Sequence, residues 1–256
     1  MQQSKWLDRG ACPSCGSSDA NVRHEAGYSW CFSCETRFDD NVVTISKTKV
    51  KSMATVGEWK EIPERKISLE TAKKFNTKVK RNGNITTHHL YGYYNDKGEH
   101  IGNKIRQTKD KRMWVEGELS EAVLFGQSIF TQKAKYITIC EGEVDAMSAY
   151  ELMGSKWPSV SIKTGSAGAL RDCKEAFDYL DGYDTVVICF DMDKQGQEAA
   201  EKVAQLFAPN KCKIMRMVHK DANEYLKMGQ REAFTQDWWG AKPYTPAGII
   251  NLKDLG

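Results

Sequence analysis

The second half of the chain alternates apolar segments of strand length with longer segments of helical pattern. From about residue 134 this alternation occurs four times, and the apolar segments are YITIC, SVSIKTG, TVVICF and CKIMRMV. The helical segment QEAAEKVAQLF carries Ala199, Val203 and Phe207 at spacings that share one helix face. Strands that alternate with helices predict a parallel sheet with helices packed on its faces.

Acidic residues follow three of these predicted strands. They are Glu141, Glu143 and Asp145 after YITIC, Asp191 and Asp193 after TVVICF, and Asp221 after CKIMRMVHK. Ligands bind beyond the carboxyl ends of the strands in an open parallel sheet, so these carboxylates are expected at one rim. Carboxylates so close repel each other and require a compensating cation. Their hard oxygen atoms favour magnesium or manganese, with a phosphate as the usual partner.

Spacing separates the acids of EGEVD. Asp145 lies four residues after Glu141, on a similar helix face, and is expected to support the metal site. Glu143 is expected to point away and to favour only the helix N-terminus. The alternative for any one motif is a set of solvated loop acids, and the KDANE segment at Asp221 is also a good helix start.

Two cysteine pairs with C-x2-C spacing lie near the N-terminus. They are Cys12 with Cys15 and Cys31 with Cys34, and 15 residues separate the pairs. Each pair places two thiolates on a tight turn, so together they predict a tetrahedral structural zinc site. A segment of about 40 residues buries too little apolar surface to fold alone, so the metal is expected to supply folding energy. The double spacing disfavours four unrelated cysteines.

Aromatic residues lie between and within the cysteine pairs. Tyr28 and Trp30 come before the second pair, and Phe32 lies inside it. Exposed rings on a zinc ribbon can stack on unpaired bases. The alternative is that the rings cover the small core. That alternative is favoured for Trp30 and Phe32, and both interpretations stay open for Tyr28.

Charge is distributed unevenly along a chain whose net charge is only +3. Residues 46–81 carry 11 Lys and Arg against 4 Asp and Glu, whereas residues 141–201 carry 5 against 13. This asymmetry predicts a polyanion on one side and cations on the other. Neither a signal peptide nor an apolar run of about 20 residues occurs, so no membrane contact is expected. In a reducing cytosol the cysteines are expected to bind metal or fill the core.

Several motifs together resemble a known family. A strand ending in EG, a glycine-bearing turn at Thr164–Gly168 and a strand ending in DMD resemble a TOPRIM domain. The four cysteines and the strings CPSCGSSD, ISLETAKKF, NKIRQTKDK, AVLFG, EGEVD, DMDKQG and KDANE are similar to the primase half of podovirus-type bifunctional primase-helicases. The resemblance covers roughly the whole chain. It implies an α/β fold with a TOPRIM parallel-sheet core and a small N-terminal four-cysteine zinc ribbon.

The resemblance and the composition together divide the chain into five segments. These are a zinc-binding ribbon (1–40), a flexible linker (41–57), an N-terminal basic subdomain of an RNA polymerase domain (58–133), a TOPRIM catalytic subdomain (134–240) and the start of a linker towards a helicase domain (241–256). The last segment, PYTPAGIINLKDLG, resembles the linker that precedes the helicase ring. We therefore expect either a fragment of a primase-helicase or a free-standing primase.

The resemblance also implies roles for the acids. Glu141 matches the TOPRIM glutamate, the candidate general base for the primer 3′-hydroxyl. Asp191 and Asp193 match the pair that binds magnesium together with that glutamate. Asp145 and Asp221 match supporting acids.

Three basic residues and two aromatic residues complete the implied site. Lys104, Arg106 and Lys111 match the basic strand that holds nucleotide phosphates, and the first two share a strand face. A solvated basic strand is the alternative. A family histidine that helps to read the template corresponds to Tyr28, so Tyr28 and Trp30 are the candidates for template recognition, at a different initiation sequence.

The function expected from these features is a DNA-dependent RNA primase for phage DNA replication. It would make short RNA primers from ribonucleoside triphosphates on single-stranded DNA, with structural zinc and catalytic magnesium or manganese. A replicative helicase, in the same chain or separate, and a DNA polymerase are the expected partners, and the host-cell cytoplasm is the expected location. The alternatives are an inactive single-stranded DNA-binding module of a helicase and a TOPRIM nuclease.

Overall fold

The computed structural model describes residues 6–34, 36–39 and 55–245. The chain divides into two compact units, residues 1–54 and 55–256. Of the linker predicted at 41–57, residues 41–54 lie outside the described residues. The same holds for residues 246–256 of the predicted C-terminal segment.

The first unit contains one antiparallel sheet of four short strands. In spatial order the strands are β1 (Trp6–Gly10), β2 (Asn21–His24), β3 (Tyr28–Cys31) and β4 (Thr36–Asp39). The buried apolar residues of the described part of this sheet and its turns are Cys12, Val22 and Cys31. Because this core is so small, the unit depends on another source of stability, as a metal-bound fold does.

The second unit begins with an antiparallel sheet. Its elements are α1 (Leu69–Lys74), β5 (Thr77–Asn82), β6 (Ile85–Tyr94), β7 (His100–Gln107) and β8 (Met113–Gly117), and the strands are adjacent in chain order. Ser68 caps α1 by accepting a hydrogen bond from the Thr71 N–H at 3.2 Å. The turn at Asn95 to Gly98 joins β6 and β7, as NDKG predicts, with a φ of 78° at Gly98.

A mainly parallel sheet follows, as the alternating pattern predicts. Its elements are β9 (Tyr136–Cys140), α2 (Glu143–Leu152), β10 (Ser159–Ser161), α3 (Ala169–Glu175), α4 (Phe177–Asp181), β11 (Thr185–Cys189), α5 (Lys194–Ala204), β12 (Cys212–Ile214), α6 (Ala222–Met228), α7 (Arg231–Trp239) and β13 (Lys242–Pro243). The strand order is β10-β9-β11-β12-β13, and only β13 is antiparallel to its neighbour.

Side chains of β9 and β11 are buried on both faces of this sheet. Ile137, Ile139, Val186 and Ile188 belong to one core cluster, and Cys140 belongs to the other. Strands covered on both faces are continuous apolar runs, which explains why YITIC and TVVICF lack polar alternation. Within the described residues, no helix combines the length and the apolar character needed to cross a membrane.

Candidate zinc centre and acidic active site

The four cysteines of the first unit converge. All four Sγ atoms lie within 4.8 Å of one another. The Cys12–Cys34 and Cys15–Cys31 sulfur distances are 3.6 and 3.7 Å. A disulfide would bring two sulfurs to about 2.05 Å, whereas a tetrahedral zinc ion with bonds of about 2.3 Å separates them by about 3.8 Å. The geometry therefore fits a structural zinc site.

Backbone amides donate hydrogen bonds to one of these sulfurs and stabilise its thiolate form. The N–H groups of Ser14 and Cys15 both donate to Cys12 Sγ at 3.4 Å. Burial opposes ionisation, but these amide bonds, together with hydrogen bonds from the Cys31 and Cys15 thiols, lower the pKa of Cys12 to about 6. A thiolate is the form that binds metal.

Aromatic rings gather on the ribbon sheet. Tyr28 stacks on His24 with ring centroids 4.5 Å apart, and the Arg37 guanidinium lies 4.1 Å from the Tyr28 ring centroid. Trp6 contacts His24 and Phe32 edge-on. The expectation that Phe32 covers the core is wrong, because 62% of its surface is exposed.

A cavity of about 470 Å³ lies at the carboxyl ends of β9 and β11. The acids that line it are Glu141, Glu143, Asp145 and Asp191, and the cations are Lys104, Arg106 and Lys163. The parallel sheet supplies the acids, and β7 of the antiparallel sheet supplies two of the cations. The cavity thus combines carboxylates that are candidates for binding a metal ion with cationic side chains that are candidates for binding an anion.

Glu141 lies directly after β9 with one oxygen held by the backbone. The Ser166 N–H donates to Oε1 at 3.3 Å, while Oε2 is buried without a hydrogen-bond partner. Burial and the nearby Asp191 raise the pKa of Glu141. A buried acceptor without a donor is costly, and it is suited to a cation or a transferred proton.

Asp191 faces Lys220, a residue that the sequence did not single out. Lys220 Nζ lies 3.1 Å from Asp191 Oδ2. Burial raises the pKa of Asp191 despite this ion pair, and Asp221 and Asp193 raise it further. We call the carboxylates that follow the parallel strands the acidic rim: Glu141, Asp145, Asp191, Asp193 and Asp221. The ammonium of Lys220 partly neutralises this rim.

Asp145 lies in the first turn of α2. It accepts a hydrogen bond from the Asn223 N–H at 3.1 Å. Burial, together with Asp221 and Asp191, raises the pKa of Asp145 well above its usual value. A Cβ at Gly142 would lie 2.9 Å from Asp145 Oδ2, so the glycine of the EG motif leaves room for this carboxylate.

Asp193 and Asp221 are the N-caps of α5 and α6. Asp193 accepts from the Gly196 N–H at 2.8 Å, and Asp221 accepts from the Glu224 N–H at 2.9 Å. Neither residue lines the cavity. Both act electrostatically on the rim, because Asp193 raises the pKa of Glu141 and Asp221 raises that of Asp145.

Of the three basic residues predicted to bind phosphate, two line the cavity and one does not. Lys104 and Arg106 line the cavity from β7. Lys104 Nζ forms an ion pair with Glu143 and donates to the Lys163 carbonyl at 2.7 Å. Lys111 is exposed in the turn before β8, with a φ of 59°, and lies outside the cavity lining.

The expectation that Glu143 points away is wrong. Glu143 is buried, with 5% of its surface exposed, and it accepts a hydrogen bond from the Tyr93 hydroxyl at 2.7 Å as well as from Lys104. The reason is tertiary: α2 packs against the antiparallel sheet, so a first-turn acid meets β6 and β7. No local spacing in the sequence signals this contact.

The rim acids fit a hard divalent cation. Their donor atoms are all carboxylate oxygens, and Glu141 Oε2 is a buried acceptor without a donor. These oxygens are less tightly gathered than the sulfurs. Among the described residues, only the four cysteines form a group of three or more potential ligands within 4.8 Å of one another.

Comparisons with known proteins find similar sequences and structures. Residues 138–226 match the family model described as Toprim-like. The chain is 29% identical to a DNA helicase/primase of Enterobacteria phage T3 over 98% of this chain and 47% of that protein. It therefore spans about half the length of this relative.

Two solved structures are similar over most of the chain. The primase fragment of the bacteriophage T7 primase-helicase has a TM-score of 0.66 and 28% identity, covering 92% of this chain and 100% of that one. T7 gp4 primase domains, solved with the T7 lagging-strand DNA polymerase, an RNA/DNA hybrid and dTTP, have a TM-score of 0.66 and 29% identity over 73% of this chain and 94% of that one. The chain is therefore a homologue of the primase part of phage primase-helicases, with a Toprim-like domain at residues 138–226.

Proposed function

We propose that the chain is a DNA-dependent RNA primase that makes short RNA primers from ribonucleoside triphosphates on single-stranded DNA during phage replication. The observation that carries the proposal is the single cavity in which Glu141, Asp145 and Asp191 face Lys104 and Arg106. Homology to phage primases supports it. The proposal concerns the primase half, since the chain spans about half of its T3 relative.

The reaction joins the 3′-oxygen of one nucleotide to the α-phosphorus of the next. The bond from that phosphorus to the bridging oxygen breaks, and pyrophosphate leaves with the bonding electron pair. Glu141 is the group that accepts the 3′-hydroxyl proton, and its raised pKa makes it a stronger base than an ordinary carboxylate. Lys104 and Arg106, which line the same cavity, would bind triphosphate oxygens. Lys111, exposed between β7 and β8 and outside the cavity lining, is proposed to bind phosphate more peripherally.

Magnesium or manganese is the proposed catalytic ion. Glu141, Asp191 and Asp193 would hold it, with Asp145 and Asp221 supporting them electrostatically. When bound, such an ion neutralises charge that develops on the leaving pyrophosphate. Lys104 and Arg106 would orient the nucleotide phosphates beside it, and a zinc ion in the cysteine cluster would be structural.

Template recognition is proposed for the ribbon. Tyr28 belongs to an aromatic group with His24, Trp6 and Phe32, and the rings of Trp6 and Phe32 are exposed. Stacking on unpaired bases suits such a surface. Trp30, half-buried in the same strand, is proposed to support it.

The proposed partners follow from the relatives. The T7 primase domains were solved with a DNA polymerase and an RNA/DNA hybrid, so a DNA polymerase that receives the primer is proposed here. The T3 relative is a helicase/primase, so a replicative helicase, in the same chain or separate, is proposed as well. The protein would act in the host-cell cytoplasm.

One set of assays distinguishes the proposal from the two alternatives. The zinc-loaded protein is incubated with magnesium, four ribonucleotides and single-stranded DNA, and both RNA products and DNA integrity are measured. A primase yields short RNA and leaves DNA intact. Binding without synthesis would identify an inactive binding module, and DNA nicking that Glu141→Ala removes would identify a nuclease.

A further inference from the structure

One loop touches both sides of the candidate active site. Residues 163–168 connect β10 to α3. The Lys163 carbonyl accepts a hydrogen bond from Lys104 Nζ at 2.7 Å, and the Ser166 N–H donates to Glu141 Oε1 at 3.3 Å. The backbone of this loop therefore orients a candidate phosphate ligand and a candidate general base together.

Asp172 of α3 binds the same loop from behind. Its Oδ2 accepts three hydrogen bonds, from the N–H of Lys163 at 2.7 Å and from the N–H and hydroxyl of Thr164, both at 2.9 Å. Asp172 is fully buried, with 0% of its surface exposed, and it does not line the catalytic cavity. Its other oxygen faces the exposed Arg171 guanidinium at 3.5 Å. Because one oxygen of this buried carboxylate accepts three hydrogen bonds from the loop, Asp172 holds the loop backbone in place.

Two glycines let the loop backbone adopt the conformation that these bonds require. Gly165 has a φ of 71°, a conformation that favours glycine. A Cβ at Gly168 would overlap the Thr164 hydroxyl oxygen. The hydroxyl thus lies against the Gly168 backbone and points at Asp172, so the loop is fixed from both sides.

Lys104 is the group that this arrangement holds. Two of the three hydrogens on its Nζ are taken, by Glu143 and by the Lys163 carbonyl. Glu143 is fixed in turn by the Tyr93 hydroxyl. One hydrogen is left for a ligand in the cavity that Lys104 lines.

We propose that Asp172 is a positioning residue of the active site, which fixes the Lys163–Thr164 backbone so that the Lys163 carbonyl and Glu143 hold Lys104 Nζ in place for a nucleotide phosphate. The identity of that ligand rests on the proposed function. Asp172 itself touches no substrate and acts through Lys163 on Lys104. Through the same loop it also stabilises the Ser166 contact with Glu141.

A double-mutant cycle tests this chain of contacts. Kinetic constants for ribonucleotide addition to a preformed RNA primer are measured for wild type, Asp172→Asn, Lys104→Ala and the double variant. We expect Asp172→Asn to raise KM for the nucleotide about 10-fold and to lower kcat less. In the Lys104→Ala background the same change should alter KM by less than about 2-fold, because residues that act as one unit are not additive. Equal effects in both backgrounds would overturn the proposal.

Two variants control for a general loss of stability. Glu175→Gln alters the same helix, and its carboxylate contacts Lys163 Nζ at 2.7 Å rather than the loop backbone. We expect its KM to stay within about 2-fold of wild type. Leu180→Ala removes a fully buried side chain from the neighbouring α4. If Leu180→Ala, at a similar loss of Tm, reproduces the KM change of Asp172→Asn, the role of Asp172 is structural only.

A chemical measurement tests the inference without any enzyme activity. Lys104 acylation by an amine-reactive acetyl ester is followed by mass spectrometry, with the exposed Lys109 as internal reference. We expect Asp172→Asn to accelerate Lys104 acylation at least 5-fold and to leave Lys109 unchanged. An unchanged Lys104 rate would overturn the inference. Absence of RNA synthesis by the wild-type protein would instead overturn the proposed function, and the acylation result would still decide the role of Asp172.

Discussion

Cys140 of β9 and Cys189 of β11 lie side by side in the parallel register. The residue after Cys140 is Glu141, and Asp191 follows Cys189 by two positions. The strand pairing therefore brings both carboxylates to one rim, where Asp191 raises the pKa of Glu141.

Removing one rim charge should stabilise the metal-free protein while it abolishes synthesis. Burial raises the pKa of Asp191, so the folded state binds this proton more tightly than the unfolded state does. Stability is therefore lost as pH rises from the unfolded pKa through the folded one. At pH 7.5 and without divalent ions, Asp191→Asn should raise Tm by about 2–4 °C, measured by calorimetry. A lower Tm would contradict this.

The rate of RNA synthesis should fall at acid pH, because Glu141 becomes protonated there. Its pKa is raised by burial and by Asp191, and a general base works only when deprotonated. The rate of nucleotide addition at saturating substrate should therefore fall as pH drops through a pKa above 4.5, the ordinary value for glutamate. Single-turnover rates of the wild-type protein, measured across the acid range at saturating magnesium, check this. A rate that stays constant down to pH 4.5 would count against Glu141 as the base.

Lys220 should compete with the catalytic cation. Its ammonium neutralises Asp191 in the metal-free rim, and the same carboxylate raises the pKa of Lys220. Lys220→Gln should bind Mn²⁺ about 3- to 10-fold more tightly by titration with electron paramagnetic resonance, a change on the order of 1 kcal/mol. Lys194→Gln, an exposed lysine that pairs with Glu198 at 3.8 Å, serves as the control. Weaker Mn²⁺ binding by Lys220→Gln would contradict the prediction.

The first unit, which contains the zinc centre, should unfold independently of the second unit, residues 55–256. Cys31 is fully buried among the converging sulfurs, so Cys31→Ser should lose the zinc and unfold the ribbon. Because residues 55–256 form their own compact unit, their thermal transition should persist. Zinc content by elemental mass spectrometry and circular dichroism check this. The variant should still extend an annealed primer but should fail to start one, and loss of both activities would contradict the division.

The rim was predictable because Glu141 and Asp191 each follow an apolar strand whose pattern is visible in the sequence. The Lys104–Glu143 pair was not, since it joins two sheets and has no characteristic spacing. Asp172 lies in the helical segment ALRDCKEAF, where the pattern predicts that an acid is on the helix surface. In the structure Asp172 is fully buried. Lys220 and the exposure of Phe32 also depend on tertiary packing, which local pattern does not encode.

The most direct test of the account is RNA synthesis on a randomised single-stranded DNA template with magnesium, with wild type and Asp191→Asn compared in parallel. The account predicts short RNA products from the wild-type protein that are complementary to the template. It predicts no product from Asp191→Asn, which should stay folded by circular dichroism. A wild-type protein that binds the template but makes no complementary RNA, or an Asp191→Asn variant as active as wild type, would contradict the account.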